Sequence, residues 1–260
     1  MDALFKKIST RTQPEQCAVH GTYESKAVML GDKVLHWMRC PQCSAAAQAE
    51  RALAQAKSDA VAAQQKLEAR LQHAGIPLRY RAKTFASFVA ANAGQAAALV
   101  TAVEFADHFA EHRRQGSVLV FSGRPGTGKS HLAIAIGHEV MRKGTVLYTS
   151  AIDAVRLVRD SWRRDAERSE TQVLRMLAAI DLLILDEVGV QYGTEAEQIS
   201  LFDIIDKRYR DLMPTILISN LGTGDMKAFL GERSYDRLRE DGQWVKFDWD
   251  SQRGHVLSGD

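Results

Sequence analysis

The sequence predicts an α/β fold, a parallel sheet flanked by helices, preceded by a small cysteine-bearing ribbon and a long helix. Three observations predict it. From Ser117 onward, short apolar runs alternate with helix-like segments, the pattern of a parallel sheet covered on both faces. A glycine-rich loop, residues 123–130, joins the first of these strands to an apolar helix. All three cysteines, Cys17, Cys40 and Cys43, fall at the start of the chain in two short knuckles.

Residues 1–16 are polar and carry no sustained period, so no regular element is expected there. Between the knuckles, Tyr23 to Leu30 and Val34 to Met38 alternate as two strands of a hairpin turning at Gly31-Asp32, a ribbon outline. Residues 44–74 then change to Ala, Gln, Glu, Lys and Arg, strong helix formers, and stop at Gly75 with Pro77 just beyond. The apolar residues of this helix beyond alanine are few: Leu53, Val61, Leu67 and Leu71. A stripe that thin suits a spacer or a docking surface for a partner. Arg79 to Phe88 is a basic and aromatic lead-in, and Ala96 to Arg113 reads as one amphipathic helix ending at Gly116. Strands are expected at Val118–Ser122, Val146–Thr149, Asp181–Leu185, Thr215–Ser219 and Gln243–Phe247, with helices near 129–142, 151–162, 168–179, 194–212, 223–230 and 232–240. This organisation divides the chain into a ribbon domain (1–45), a long Ala-rich helix (46–78) and an α/β domain (79–260).

The 260 residues, 45% hydrophobic, suffice for one full domain and a small accessory one. With 34 basic and 32 acidic residues the formal charge is only +2, so any nucleic-acid contact must come from a local patch. No apolar run approaches the roughly 18 residues of a membrane span, and MDALFKKIST lacks a signal-peptide core. A soluble, cytoplasmic protein is expected. The clustered cysteines fit a metal site in a reducing compartment better than a disulfide framework.

Gly123-Arg124-Pro125-Gly126-Thr127-Gly128-Lys129-Ser130 matches G-x-x-x-x-G-K-[ST] between a strand and a helix, the context that the motif demands. Its glycines let backbone N–H groups turn toward phosphate oxygens, and the helix N-terminus adds its positive dipole end. Lys129 can reach β- and γ-phosphates, and the Ser130 hydroxyl can ligand Mg²⁺. His131 follows on the same helix and is expected to border the nucleotide. A neighbouring strand, Leu182-Leu183-Ile184-Leu185-Asp186-Glu187, ends in two acids with separate jobs. Asp186 is expected to hold Mg²⁺ through its water shell and Glu187 to act as general base on the attacking water. Asn220, after the strand Ile216-Leu217-Ile218-Ser219, is placed to orient that water, although an asparagine there also suits a turn. Three arginines, Arg233, Arg237 and Arg239, lie on one short helix. Arg233 and Arg237, four apart, can serve a neighbouring subunit's γ-phosphate or pair with Glu232, Asp236 and Glu240 on a surface helix.

Cys17-x-x-His20 and Cys40-Pro41-Gln42-Cys43 supply three thiolates and an imidazole, a closed tetrahedral set that selects structural Zn²⁺. His36 competes with His20 for the fourth place, and the x-x spacing favours His20. Lys26, Lys33, His36, Trp37 and Arg39 give the ribbon a basic and aromatic face, suited to docking a protein or touching DNA. Other arginine and aromatic neighbours, Arg79-Tyr80-Arg81, Trp162 with Arg163-Arg164, and Tyr209-Arg210, single out no DNA site.

The loop at 123–130, Leu-Ile-Leu-Asp-Glu-Val-Gly-Val-Gln at 183–191, Leu-Gly-Glu-Arg-Ser-Tyr-Asp-Arg-Leu-Arg at 230–239 and Phe-Asp-Trp-Asp-Ser-Gln-Arg at 247–253 together resemble the DnaC family of bacterial and prophage helicase loaders. The resemblance covers about 80–260. It implies an AAA+ ATPase that uses ATP and Mg²⁺, binds a hexameric, DnaB-like replicative helicase through its N-terminal region and contacts single-stranded DNA. It also implies nucleotide-dependent homo-oligomers, with Arg237 as arginine finger, Arg253 as a sensor-2-type residue and Arg233 as accessory. The N-terminus departs from the enterobacterial loader, which has no cysteine knuckles, whereas Gram-positive loaders carry a zinc-binding domain there. The alternative is an IstB-like transposition helper that binds duplex DNA and a transposase. A DnaA-like initiator would need a helix-turn-helix domain after the ATPase, for which this sequence leaves no room.

Overall fold

Residues 8–190, 195–240 and 242–252 are described by the computed structural model, which divides into two units, Met1–Leu67 and Glu68–Asp260. In the first unit β1 (Ile8–Cys17), β2 (Gly21–Leu30) and β3 (Lys33–Trp37) form an antiparallel sheet in the order β1-β2-β3. The β2–β3 hairpin turns at Gly31-Asp32 as expected. Strand β1 corrects the expectation that residues 1–16 lack regular structure. It pairs with β2 from Ile8↔Leu30 to Cys17↔Gly21. Its residues are polar on both faces, so no hydrophobic alternation betrays it, and Pro14 is accommodated because β1 is an edge strand.

The helix α1 (Pro41–His73) starts with Pro at its first position, where the missing N–H costs nothing. Leu53 and Val61 are exposed, so composition rather than burial accounts for the helix over this stretch.

In the second unit two 3₁₀ turns, Leu78–Tyr80 and Phe85–Ser87, lead into α2 (Ala93–Asp107) and α3 (Phe109–Gln115). The single helix expected over 96–113 is therefore two. His108 leaves the helical region (φ −94°, ψ 20°), and its Nδ1 lies 3.1 Å from the Glu104 carbonyl. Phe105 and Phe109 on either side of the break are both buried, so the apolar period continues across it.

The sheet consists of β4 (Val118–Gly123), β5 (Val146–Ser150), β6 (Leu182–Val188), β7 (Thr215–Ser219) and β8 (Gly242–Phe247). All neighbours are parallel, in the order β5-β6-β7-β4-β8. Its strands read as continuous apolar runs because both faces are covered. Leu119, Phe121, Ile184 and Ile218 face a core built with α2 and α4 (Lys129–Val140). Val120, Leu183, Leu185 and Leu217 face the opposite core, formed with α5 (Ala151–Asp160), α6 (Glu170–Ala179), α7 (Glu195–Arg210) and α8 (Thr223–Glu240). Gly231, at φ 76° and ψ 161°, kinks α8 where two helices were expected to meet.

At the N-terminal ends of the strands Arg208 is buried with four partners: the carbonyls of Leu177, Ile180 and Pro214, and Thr215 Oγ1. That clamp ties α7 to the end of α6 and to the start of β7. At the other edge, the C-terminal ends of β4, β6 and β7 bring together the residues singled out for chemistry. Among the described residues no helix is long and apolar enough to cross a membrane.

Candidate functional site

Strand β4 ends at Gly123 and α4 begins at Lys129, so the glycine-rich loop turns over the edge of the sheet. Gly128 takes φ 99°, and a Cβ there would lie 2.7 Å from Phe88 Cε2, so glycine is required both for the turn and for the contact. No side chain caps the first turn of α4, which leaves its N–H groups to the loop's concavity. Thr127, fully buried, braces the loop from inside by donating to the Arg124 carbonyl at 2.7 Å. Lys129, also buried, donates from Nζ to the carbonyls of Gly123 (2.8 Å) and Arg124 (2.6 Å), which holds its ammonium at the loop's mouth.

Asp186 ends the apolar run of β6 and is itself buried, and its Oδ2 accepts from Ser130 Oγ at 2.8 Å and from Tyr148 OH at 2.6 Å. A hydroxyl and a carboxylate converging in this way form a hard oxygen set that fits Mg²⁺ with its waters and a phosphate. The β6–β7 register slips between Leu185 and Val188, so Asp186 and Glu187 sit on a bulge. Glu187 takes φ 60°, a left-handed conformation costing about 1–3 kcal/mol, and is exposed. The bulge therefore separates the two acids, one buried beside Ser130 and one presented to solvent.

Gly126, Gly128, Lys129, Ser130, Asp186, Glu187 and Asn220 line one cleft of about 580 Å³, together with Pro125 and His131. That volume suits a nucleotide. Gly123 and Thr127 shape the loop from behind. The His131 ring is engaged with the lead-in: its Nε2 lies 2.8 Å from the Thr84 carbonyl and 3.1 Å from Ser87 Oγ, and Phe88 packs edge-on. Burial holds that imidazole below the usual histidine range, so it is neutral near pH 7.

Two features escaped the sequence reading. Tyr148, at the end of β5, reaches Asp186, and burial followed by that carboxylate pushes its phenol well above the usual tyrosine range. The segment after β8 folds back over the loop. Trp249 Nε1 donates to the Thr127 carbonyl at 2.9 Å and Gln252 N to the Gly126 carbonyl at 3.0 Å, while Arg124 N donates to the carbonyl of Phe247 at the end of β8 at 2.9 Å. The signal for this strap was the Trp-Asp-Ser-Gln run, whose spacing shows no chemistry without its contacts. Arg253 lies outside the described residues, as do Gln191 and the positions through 194.

Arg233 is exposed on α8 and does not line the cleft. Arg237 pairs with Asp206 of α7 and sits over the rings of Phe202 (5.5 Å) and Tyr209 (5.4 Å), while Arg210 holds the second Asp206 oxygen at 2.7 Å. The surface-helix alternative named Glu232, Asp236 and Glu240. In the structure Glu232 pairs with Lys227 instead, and the partner of Arg237 comes from another helix.

In the first unit Cys17, His20, Cys40 and Cys43 converge with all four ligand atoms within 4.8 Å of one another. His20 Nδ1 lies 3.6, 3.6 and 3.2 Å from the sulfurs of Cys17, Cys40 and Cys43, and the Cys17 and Cys43 sulfurs are 3.5 Å apart. Bonds of about 2.3 Å to sulfur and about 2.0 Å to nitrogen in a tetrahedron require edges close to these. His36, exposed on β3, is not in the cluster. Hydrogen bonds from the backbone N–H groups of Val19 and His20 lower the Cys17 thiol to about 6, while bonding to Cys17 raises Cys43 to about 11. A dication relieves that crowding of thiolates, so the donor set fits Zn²⁺.

Glu187→Gln is expected to leave nucleotide affinity intact and to slow hydrolysis by about 10²–10⁴-fold, since the amide keeps the shape but cannot take a proton. Equilibrium binding of a fluorescent nucleotide beside steady-state phosphate release checks this. Equal loss of both contradicts the role of Glu187 as base.

The family described as IstB-like ATP binding protein matches residues 43–255. A protein of Escherichia coli K12 called "Uncharacterized protein YdaV" is 37% identical over 196 residues, 75% of this chain and 77% of that protein. The "Replicative helicase loader DnaC" of the same organism is 34% identical over 195 residues, 74% of this chain and 77% of its own length. The crystal structure of the DnaC helicase loader superposes with a TM-score of 0.61 at 23% identity, over 66% of this chain and all of that one, a likeness of fold. With a phosphate loop, paired carboxylates and a strand-end asparagine on one edge of a parallel sheet, the chain belongs to the IstB/DnaC family of AAA+ ATP-binding proteins.

Proposed function

We propose that this protein is an ATP-dependent loader that places a hexameric, DnaB-like replicative helicase on single-stranded DNA during replication. The observation that carries this reading is the kinship with a replicative helicase loader over three quarters of both chains. ATP with Mg²⁺ occupies the cleft: Lys129 meets the β- and γ-phosphates, Ser130 and Asp186 hold the metal, Glu187 takes a proton from the attacking water, and Asn220 orients it. Hydrolysis is slow and serves as a switch. The ribbon, held by Zn²⁺ on Cys17, His20, Cys40 and Cys43, and the exposed α1 dock the helicase in the cytoplasm.

In this reading protomers assemble when ATP is bound. Arg237 then exchanges Asp206 for a neighbour's γ-phosphate, with Arg233 accessory and Arg253 contacting nucleotide in its own subunit. Arg237→Ala is expected to spare ATP binding and to cut hydrolysis in the assembled state by as much as about 10³-fold. Phosphate release measured across protein concentration, with assembly state followed by light scattering, checks it. A demonstrably monomeric protein hydrolysing at full rate contradicts the finger in trans.

The second reading, a transposition helper acting with a transposase on duplex DNA, is favoured by the IstB-like family description. Purified replicative helicase and a duplex oligonucleotide, each titrated with the intact protein in ATP and in ADP, separate the two. Tight helicase binding with weak duplex binding supports the loader. The reverse supports the helper.

A further inference from the structure

Strand β5 is an edge of the sheet, and its outer side is occupied by the chain segment that follows α1. Tyr148 N donates to the Ala74 carbonyl at 2.7 Å, and Ala74 and Ile76 are both buried in the core that the strand faces. Between them Gly75, at φ 67°, lies so close that an added Cβ would stand 2.5 Å from the Tyr148 carbonyl oxygen. The Tyr148 N–H is thus tied to the segment that follows α1, and its carbonyl lies hard against Gly75 of the same segment. The side chain of the same residue reaches the cleft. Its hydroxyl donates to Asp186 Oδ2 at 2.6 Å, the oxygen that also accepts from Ser130, and its ring meets Tyr80 edge-on at 6.4 Å on the cleft wall.

The geometry points to Tyr148 as a positioning residue that sets the magnesium-holding carboxylate Asp186 and ties it to the Ala74–Ile76 segment, so that metal–nucleotide binding and the anchoring of that segment are coupled. This rests on the ATPase reading of the cleft and adds a regulatory link to it. Physically, a carboxylate with two fixed hydroxyl donors on one oxygen keeps the other oriented, and no rotamer search is needed when the metal arrives. A metal that draws Asp186 toward it draws on the Tyr148 hydroxyl as well. Only the two torsions of one half-buried side chain separate that hydroxyl from the N–H that holds Ala74, so a displacement of the ring that moves its backbone loads the Ala74 hydrogen bond. By thermodynamic reciprocity, whatever tightens or loosens the Ala74–Ile76 segment changes metal–nucleotide affinity by the same factor.

Tyr148→Phe keeps the ring and its packing and removes only the hydroxyl. The intact protein and this variant are titrated with a fluorescent ADP analogue, first in EDTA and then at rising Mg²⁺, and amide exchange is followed with and without Mg²⁺–ADP. The expected result is equal affinity in EDTA, a half-saturating Mg²⁺ concentration raised about tenfold in the variant, the effect of one lost hydrogen bond to a charged group, and loss of the ligand-induced slowing of exchange at residues 74–76 and 148. Unchanged Mg²⁺ dependence in the variant overturns the proposal. Weakened binding in EDTA as well overturns it too, since that is the mark of a packing role. If the unaltered protein binds no Mg²⁺–nucleotide, the ATPase reading itself fails, an outcome distinct from either.

Discussion

Lys129→Ala is expected to weaken nucleotide binding by orders of magnitude while the chain stays folded. The ammonium is buried at the loop's mouth and already satisfied by the Gly123 and Arg124 carbonyls at 2.8 and 2.6 Å. Phosphate oxygens offer a charged acceptor in place of neutral ones, so the exchange is favourable only for the ligand-bound state. Two charge-assisted hydrogen bonds lost at about 1.5–3 kcal/mol each weaken affinity by about 10²–10⁴-fold. Alanine is a good helix former at the start of α4, so circular dichroism should be retained. Calorimetric titration with ATP and Mg²⁺ checks it, and near-normal affinity contradicts the placement of the phosphates on this loop.

The second large effect is expected from removing the metal that the Cys17, His20, Cys40 and Cys43 cluster fits. Within the described part of Met1–Leu67 only Ser25, Ala27 and Cys40 are buried, which is no hydrophobic core at all. Three antiparallel strands with so little apolar burial do not hold together in water on their hydrogen bonds alone. Structural zinc sites supply about 10–16 kcal/mol of apparent binding free energy, which in such a unit is folding free energy. Chelation, or Cys40→Ser, is therefore expected to melt β1–β3 while leaving ATP binding by the second unit in place. Limited proteolysis within residues 8–40, with metal release followed by a colorimetric indicator, reads both. A digestion pattern indifferent to chelator contradicts a metal-held ribbon.

Local structure was legible in the sequence, and contacts across the chain were not. The five strands of the main sheet lie within a few residues of their expected places because each is a continuous apolar run with punctuation at both ends. The division of α8 at Gly231 was legible because glycine breaks a helix wherever it takes a positive φ. Strand β1 was not, since an edge strand with polar residues on both faces carries no period. The order β5-β6-β7-β4-β8 has no local signature either. In the site, Gly123 to Ser130, Asp186 and Glu187 follow from motif and strand context. Tyr148, Trp249 and Gln252 act on residues 38, 122 and 126 positions away, and an isolated tyrosine or tryptophan looks like any other. The Asp206 partner of Arg237 was missed for the same reason, because spacing along one helix shows only partners on that helix.

The most direct test of the central claim is transfer of the replicative helicase from the same cell onto a closed circle of single-stranded DNA, measured as rings retained on the circle after a salt wash. A closed circle has no end to thread, so a ring arrives only if it is opened. The account predicts retention that requires this protein and ATP and disappears with Lys129→Ala. Retention that is the same without the protein, or the same with the Lys129→Ala variant, contradicts it.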